Sequence, residues 1–154
     1  MHHLYQLLFE FFQFHLKGYR TFVLEGKSGG HYVEETVVQE TLHFLSHQVK
    51  MELEIDASAL LVYRAAWAHD QNQGRVTREA SMAKLYATEK AQQVIDTAVQ
   101  LFGARGVEKG NPVESLYREI RALRIYEGAS EVHQQILGDQ AIRSYNGDSK
   151  MKKW

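Results

Sequence analysis

Proline occurs once in this chain of 154 residues, at Pro112, and that scarcity limits what the chain can fold into more than any other feature. Proline breaks helix interiors because it lacks an amide donor and clashes with the preceding turn. Its absence from long runs rich in Ala, Leu, Glu, Gln and Arg predicts an all-α chain. A length of 154 residues suits one domain with a real core.

Glycines and hydrophobic spacing divide that chain. Residues 1–33 form an unassigned leader. Leu4, Leu7, Leu8, Phe11 and Phe12 fall at helical steps, although the same aromatic run also suits a strand. Residues 18–33 carry Gly18, Gly26, Gly29 and Gly30 and predict a loop, with a brief extended piece at Thr21–Leu24. From Glu34 to Asp70 one long helix is expected. Val38, Leu42, Leu45, Val49, Leu53, Ala57, Leu60 and Leu61 form its buried stripe. Gly74 interrupts it, and Thr77 offers an N-cap for the next helix, with Glu79 near that helix's positive end.

The second helix runs to Phe102. Its inward stripe is Ala80, Ala83, Ala87, Ala91, Val94, Ala98 and Phe102, whose small residues allow close approach of neighbouring axes. Gly103 and Gly106 can adopt the left-handed conformation that ends a helix. Pro112 suits a first helical position and opens a shorter helix to Leu123. A turn at Tyr126–Ala129 draws on the freedom of Gly128. Ser130 can then cap a last helix to Tyr145, before a frayed tail at 146–154. Short connections between such helices favour an antiparallel four-helix bundle over residues 34–145.

Charge and composition exclude several functions. With 18 basic and 19 acidic residues, a net charge of −1 creates no global field for nucleic acid or an anionic membrane. No cysteine is present, which removes disulfides, thiolate metal sites and Cys nucleophiles. Leu4 to Phe14 falls short of the ~20 apolar residues that span a bilayer. It also lacks the features of a secretory signal or transit peptide, so a cytoplasmic location is expected. His43 and His47 are four apart but have no evident third ligand, so no metal site is expected. The Gly103-x-x-Gly106 spacing follows a helix where the Rossmann fingerprint follows a strand, which argues against independent dinucleotide binding.

Gln100 to Gln134 is the specific segment: QLFGARGVEKGNPVESLYREIRALRIYEGASEVHQ. Gln100, Phe102, Gly103, Gly106, Pro112, Val113, Glu114, Tyr117, Arg118, Tyr126, Glu127, Gly128 and Ser130 carry a pattern that resembles the closing segment of flavin-dependent acyl-CoA dehydrogenases. Ile55–Trp67 and the Lys84–Ala87 neighbourhood also resemble that family's long helices. The resemblance covers about residues 51–143 of the carboxy-terminal helical domain, whereas residues 1–45 show none. Two positions depart from the pattern: Ala104 replaces the second of two paired glycines, and Ala129 replaces a frequent threonine.

The resemblance implies a chemistry. Family enzymes take the α-proton from an acyl-CoA thioester while a β-hydride passes to FAD, leaving an α,β-unsaturated thioester. Glu127 stands at the position of the base. Such a carboxylate needs hydrogen-bond reach to the proton and a dry, apolar setting that raises its affinity for it. Tyr126 and Gly128 correspond to substrate contacts. Gln100, Phe102, Gly103, Ala104, Ala129 and Glu131 correspond to cofactor contacts, some reaching the flavin of a neighbouring subunit.

Each assignment has a plainer alternative on the bare sequence. Glu127 before a glycine suits a solvated turn, Gly103 a helix C-cap, Phe102 the core and Ser130 an N-cap. Arg118, Arg121 and Arg124 form a basic edge suited to surface salt bridges or a CoA phosphate. The resemblance implies homo-oligomeric partners or separate dehydrogenase domains that complete the site. The competing reading is a non-catalytic helical module that associates with itself through apolar stripes.

Overall fold

The computed structural model of the protein describes residues 30–71 and 74–146. They form four α-helices and one 3-10 segment. Helix α1 spans Gly30–Asp70 and α2 spans Thr77–Phe102. The 3-10 segment spans Gly103–Val107, α3 spans Pro112–Leu123 and α4 spans Ser130–Tyr145. The architecture is all-α, as expected. Helix α1 begins at Gly30, four residues before Glu34, so residues 30–33, expected as loop, are helical. The expected short helix within residues 1–17, the extended piece at Thr21–Leu24 and the tail beyond Asn146 lie outside the described residues.

The chain divides into two units, Met1–Met51 and Glu52–Trp154. In the first, the described part is the opening half of α1. Ser46 donates its hydroxyl to the His43 carbonyl one turn earlier, at 2.7 Å. The His43 and His47 rings meet edge-on with centroids 4.6 Å apart, as four-residue spacing on a helix dictates.

In the second unit α2 is the central helix. It packs against α3, α4 and the 3-10 segment, so it buries more than one stripe. Ser81, Ala83, Val94, Ile95 and Ala98 are its buried residues. The single inward stripe expected for α2 therefore needs correction: Ala80 is exposed, and Ser81 and Ile95 join the core. Ile95 and Val113 of α3 are the largest fully buried side chains. Each contributes on the order of 1.5–3 kcal/mol of hydrophobic stabilisation.

The buried stripe expected on α1 is also corrected. Leu42, Val49, Leu53 and Leu60 are exposed, while Leu45, Ala57 and Leu61 are half-buried. Val38's side chain lies outside the described set. Within the second unit the inward face of α1 is instead carried by Ser58 and Ala68. Beside Ser58, Glu54 accepts hydrogen bonds from Tyr86 Oη at 2.6 Å and Lys90 Nζ at 2.8 Å, both from α2. This polar clamp joins the Glu54 side of α1 to α2. Lys90 first and Tyr86 second hold the Glu54 carboxyl below the usual carboxylate range.

Helix ends follow sequence chemistry only in part. Asn111 caps α3, its side chain accepting the Val113 amide at 2.9 Å, with Pro112 in the first turn. Gly103 ends α2 with a positive φ of 58°, but its ψ of −137° lies outside the left-handed helical conformation expected of it. Gly106 does not share that positive φ. A Cβ there would stand 2.5 Å from the Val99 carbonyl oxygen, so the glycine serves close backbone approach. Thr77 and Ser130 are first helical residues, and the residues before them, Val76 and Ala129, make no side-chain cap.

Candidate functional site

Helices α3 and α4 are joined by residues 124–129, and both flanks of this turn are tied to one carboxylate on α2. Glu89 accepts from Arg124 Nε at 2.7 Å and from the Ser130 hydroxyl. Arg124 precedes the turn and Ser130 opens the helix after it. Burial disfavours the charged form of Glu89. The hydrogen bonds from Ser130 and Arg124, with the charges of Arg124 and Arg121, outweigh that cost and hold its carboxyl below the usual range. Ser130 is buried for this reason, a role its expected N-cap function did not foresee. Its amide also closes the turn, donating to the Arg124 carbonyl at 3.2 Å.

At the tip, two successive residues have left-handed backbones: Glu127 at φ 55° and Gly128 at φ 93°. Glycine adopts this region freely. For a residue with a Cβ it costs roughly 1–2 kcal/mol, so Glu127 is held there by its surroundings. The Lys84 ammonium, from α2, donates to the Gly128 carbonyl. His133 Nε2 lies 3.3 Å from the Glu127 carbonyl. A Cβ at Gly128 would come within 2.8 Å of the same imidazole nitrogen, so a larger residue there must displace the His133 ring as well as strain the backbone.

The Glu127 side chain is exposed, and the described residues do not form the dry enclosure expected around it. What they provide is an apolar border. Ile125, Tyr126 and Val132 are exposed large apolar residues beside Glu127 in the chain. Gly128 and Ala129 are half-buried, and Glu131 is exposed.

The remaining site residues fall in a second place, at the carboxyl end of α2. Gln100 and Ala104 are exposed and Phe102 is half-buried. Gly103 donates its amide to the Gln100 carbonyl, and nothing stands within 4 Å of the position a Cβ would occupy. From Glu89 to Phe102 the axis of α2 advances roughly 20 Å at the usual helical rise. The expected residues therefore form two separate groups within one chain.

Sequence reasoning missed Lys84, Glu89 and His133 as supports of the turn. No local signal marks them, since the helix of Lys84 and Glu89 also carries Arg78, Glu79, Lys90 and Asp96. The basic edge of α3 also divides. Arg118 pairs with Glu114 one turn away and holds that carboxyl below the usual range. Arg124 turns inward to Glu89, and Arg121 is exposed. Among the described residues no group of three or more His, Cys, Asp or Glu side chains could hold a metal ion.

An all-α domain with a left-handed acid–glycine turn before its last helix narrows the class. The profile of the acyl-CoA dehydrogenase C-terminal domain family matches residues 29–142, and the chain belongs to that family. The match begins well before residue 51, so the first half of α1 is part of the family domain as well. The 3-(aryl)acrylate reductase of Clostridium sporogenes is 41% identical over 93 residues, covering 60% of this chain and 24% of that protein. The short-chain specific acyl-CoA dehydrogenase of Bos taurus mitochondria is 39% identical over 95 residues, covering 62% of this chain and 23% of the relative. The chain thus spans about a quarter of the length of the curated relatives it matches. A solved structure described as the FAD complex of PigA superimposes with a TM-score of 0.63 at 23% identity, over 68% of this chain and 27% of that one. That likeness concerns the fold. No helix among the described residues is long and apolar enough to cross a membrane.

Proposed function

We propose that this chain supplies the base-bearing helical part of a flavin-dependent acyl-CoA dehydrogenase, with Glu127 removing the α-proton of an acyl-CoA thioester. The observation that carries this reading is the backbone of Glu127. A non-glycine residue in a left-handed conformation, tied from two sides and exposed to an incoming ligand, points to function. Tyr126 and Gly128 flank the acyl thioester, and the apolar border of Ile125, Tyr126 and Val132 meets its carbon chain. A second protein surface closing over this border excludes water and raises the proton affinity of Glu127.

FAD fits the second group of residues. Gln100, Phe102, Gly103 and Ala104 present an open backbone edge at a glycine with no atom nearby, suited to close approach by a ribose or phosphate. Ala129 and Glu131, at the start of α4, face the other end of the cofactor. When bound, it takes up the β-hydride. The roughly 20 Å between the two groups along α2 favours a site completed by a second copy of the chain, in a dimer or tetramer, or by separate dehydrogenase domains.

The direct test is visible absorbance of the purified chain with FAD, followed by addition of an acyl-CoA. Loss of flavin absorbance on adding acyl-CoA supports the proposal. Glu127→Gln then lowers the rate by about 10²–10⁴-fold, the usual loss for a positioned base. An unchanged rate in that variant rejects Glu127 as the base. A second reading, self-association without catalysis, draws support from the exposed Leu53, Leu60, Tyr63 and Trp67 on one length of α1. It predicts a defined oligomer that binds neither flavin nor acyl-CoA.

A further inference from the structure

We propose that Lys84 is a positioning residue that holds the Glu127–Gly128 turn in its left-handed form and so aims the Glu127 carboxylate. This rests on Glu127 acting as the base, but it concerns a different residue and a different measurement.

The argument begins with the cost of the conformation. Glu127 sits at φ 55°, which disfavours any residue with a Cβ, so the turn relaxes unless something holds its tip. The ties to Glu89 fix Arg124 and Ser130, the two ends of the turn, and leave the tip between them free to change. Two contacts reach the tip itself. His133 belongs to α4, which begins in the same turn, so it moves with the segment it supports. Lys84 comes from α2, 44 residues away in sequence, and its ammonium donates to the Gly128 carbonyl.

That bond is charge-assisted and half-buried, which places it among the stronger hydrogen bonds. It ties the tip to the central helix, whose neighbouring turns carry the buried Ser81 and Ala83. The direction in which the Cα–Cβ bond leaves the backbone depends on φ. Releasing the Gly128 carbonyl lets residue 127 return to a right-handed or extended backbone, and its carboxylate then points elsewhere. Lys84 thereby fixes the aim of an acid that it does not itself touch.

The test is made on the full 154-residue chain. In isotope-labelled protein, the amide–Hα coupling and the Cβ shift of Glu127 report its backbone conformation. Lys84→Met keeps the apolar stem and removes the donor. It is expected to move the Glu127 signature away from left-handed. The Ser130 amide should exchange about tenfold faster, through local opening of the turn. Lys84→Arg, which keeps a cationic donor, retains the parent signature. Helical circular dichroism stays intact in both. A left-handed Glu127 that persists in folded Lys84→Met overturns the proposal. Should that variant not fold, Lys84→Gln is read in the same way, since its shorter amide keeps the position polar without reaching the carbonyl. None of these readouts needs cofactor or substrate. They therefore stand or fail apart from the Glu127→Gln test. In an assembly that dehydrogenates acyl-CoA, Lys84→Met lowers kcat about tenfold with KM unchanged, the pattern of a lost transition-state alignment.

Discussion

The turn from Arg124 to Ser130 and the outer side of α1 differ in how each treats its side chains. The turn is irregular and exposed from Ile125 to Glu127, yet it is fixed by side chains from α2 that reach its ends and its tip. The outer side of α1 is regular helix, yet Leu53, Leu60, Tyr63 and Trp67 remain largely uncovered within the second unit. Regular secondary structure and tight definition are thus separate properties. Backbone hydrogen bonding makes α1 a helix whatever covers it, whereas the turn takes its shape from a few specific long-range contacts.

Substitutions can test that contrast, and the largest effect belongs to the core beneath both regions. Ile95→Ala should cost about 2–5 kcal/mol in chemical denaturation, because Ile95 is fully buried in α2. Leu60→Ala serves as its counterpart on the outer side and should change stability by less than about 0.5 kcal/mol. A large loss at Leu60 would show that this side of α1 is covered in solution, and sedimentation would identify a second copy if one provides the cover.

Gly128→Ala comes next. It combines a left-handed backbone with a Cβ placed 2.8 Å from His133 Nε2, and a loss of about 1–3 kcal/mol is expected from thermal unfolding. Gly110→Ala provides a control for backbone conformation alone, since its φ is 97° but nothing stands within 4 Å. Equal losses at both positions would mean that His133 yields and that the tip is held less firmly than its contacts indicate.

Glu89→Gln should cost about 1–2 kcal/mol, because Arg124 loses its ionised partner while Ser130 keeps an acceptor. The pH dependence follows the same logic. Glu89 and Glu54 are held below the usual carboxylate range in the folded chain. Their contribution to stability is fully present above the unfolded value of about 4.3 and is lost as pH falls through the lower folded values. Urea midpoints between pH 6 and pH 3 should fall for the parent chain and fall less for Glu89→Gln. Identical slopes would remove Glu89 from the account of the turn.

Much of the fold was legible in the sequence because its signals are local. The ends of α2, α3 and the last helix follow from Gly74, Gly103, Pro112 and the Gly128 turn, each acting within a few residues. Cap identity was harder to read. Thr77 and Ser130 have side chains able to cap, but the helices begin one residue earlier than that role requires. In Ser130 the hydroxyl is drawn to Glu89, a partner 41 residues away that no local pattern announces. The apolar residues of α1 were visible as a set, but the stripe their periodicity named was the wrong one at Leu42, Val49, Leu53 and Leu60, which are exposed.

The sequence by itself determined that the chain is helical, where its helices break, and which family's acid–glycine motif it carries. Those features depend on residue types acting over one or two helical turns. Tertiary structure decided the rest. It joined Glu54 of α1 to Tyr86 and Lys90 of α2, and it drew Arg124 and Ser130 together on Glu89. It also brought Lys84 to the carbonyl beside Glu127. Those choices rest on contacts between residues some thirty to forty-five positions apart, which form only once the helices have packed.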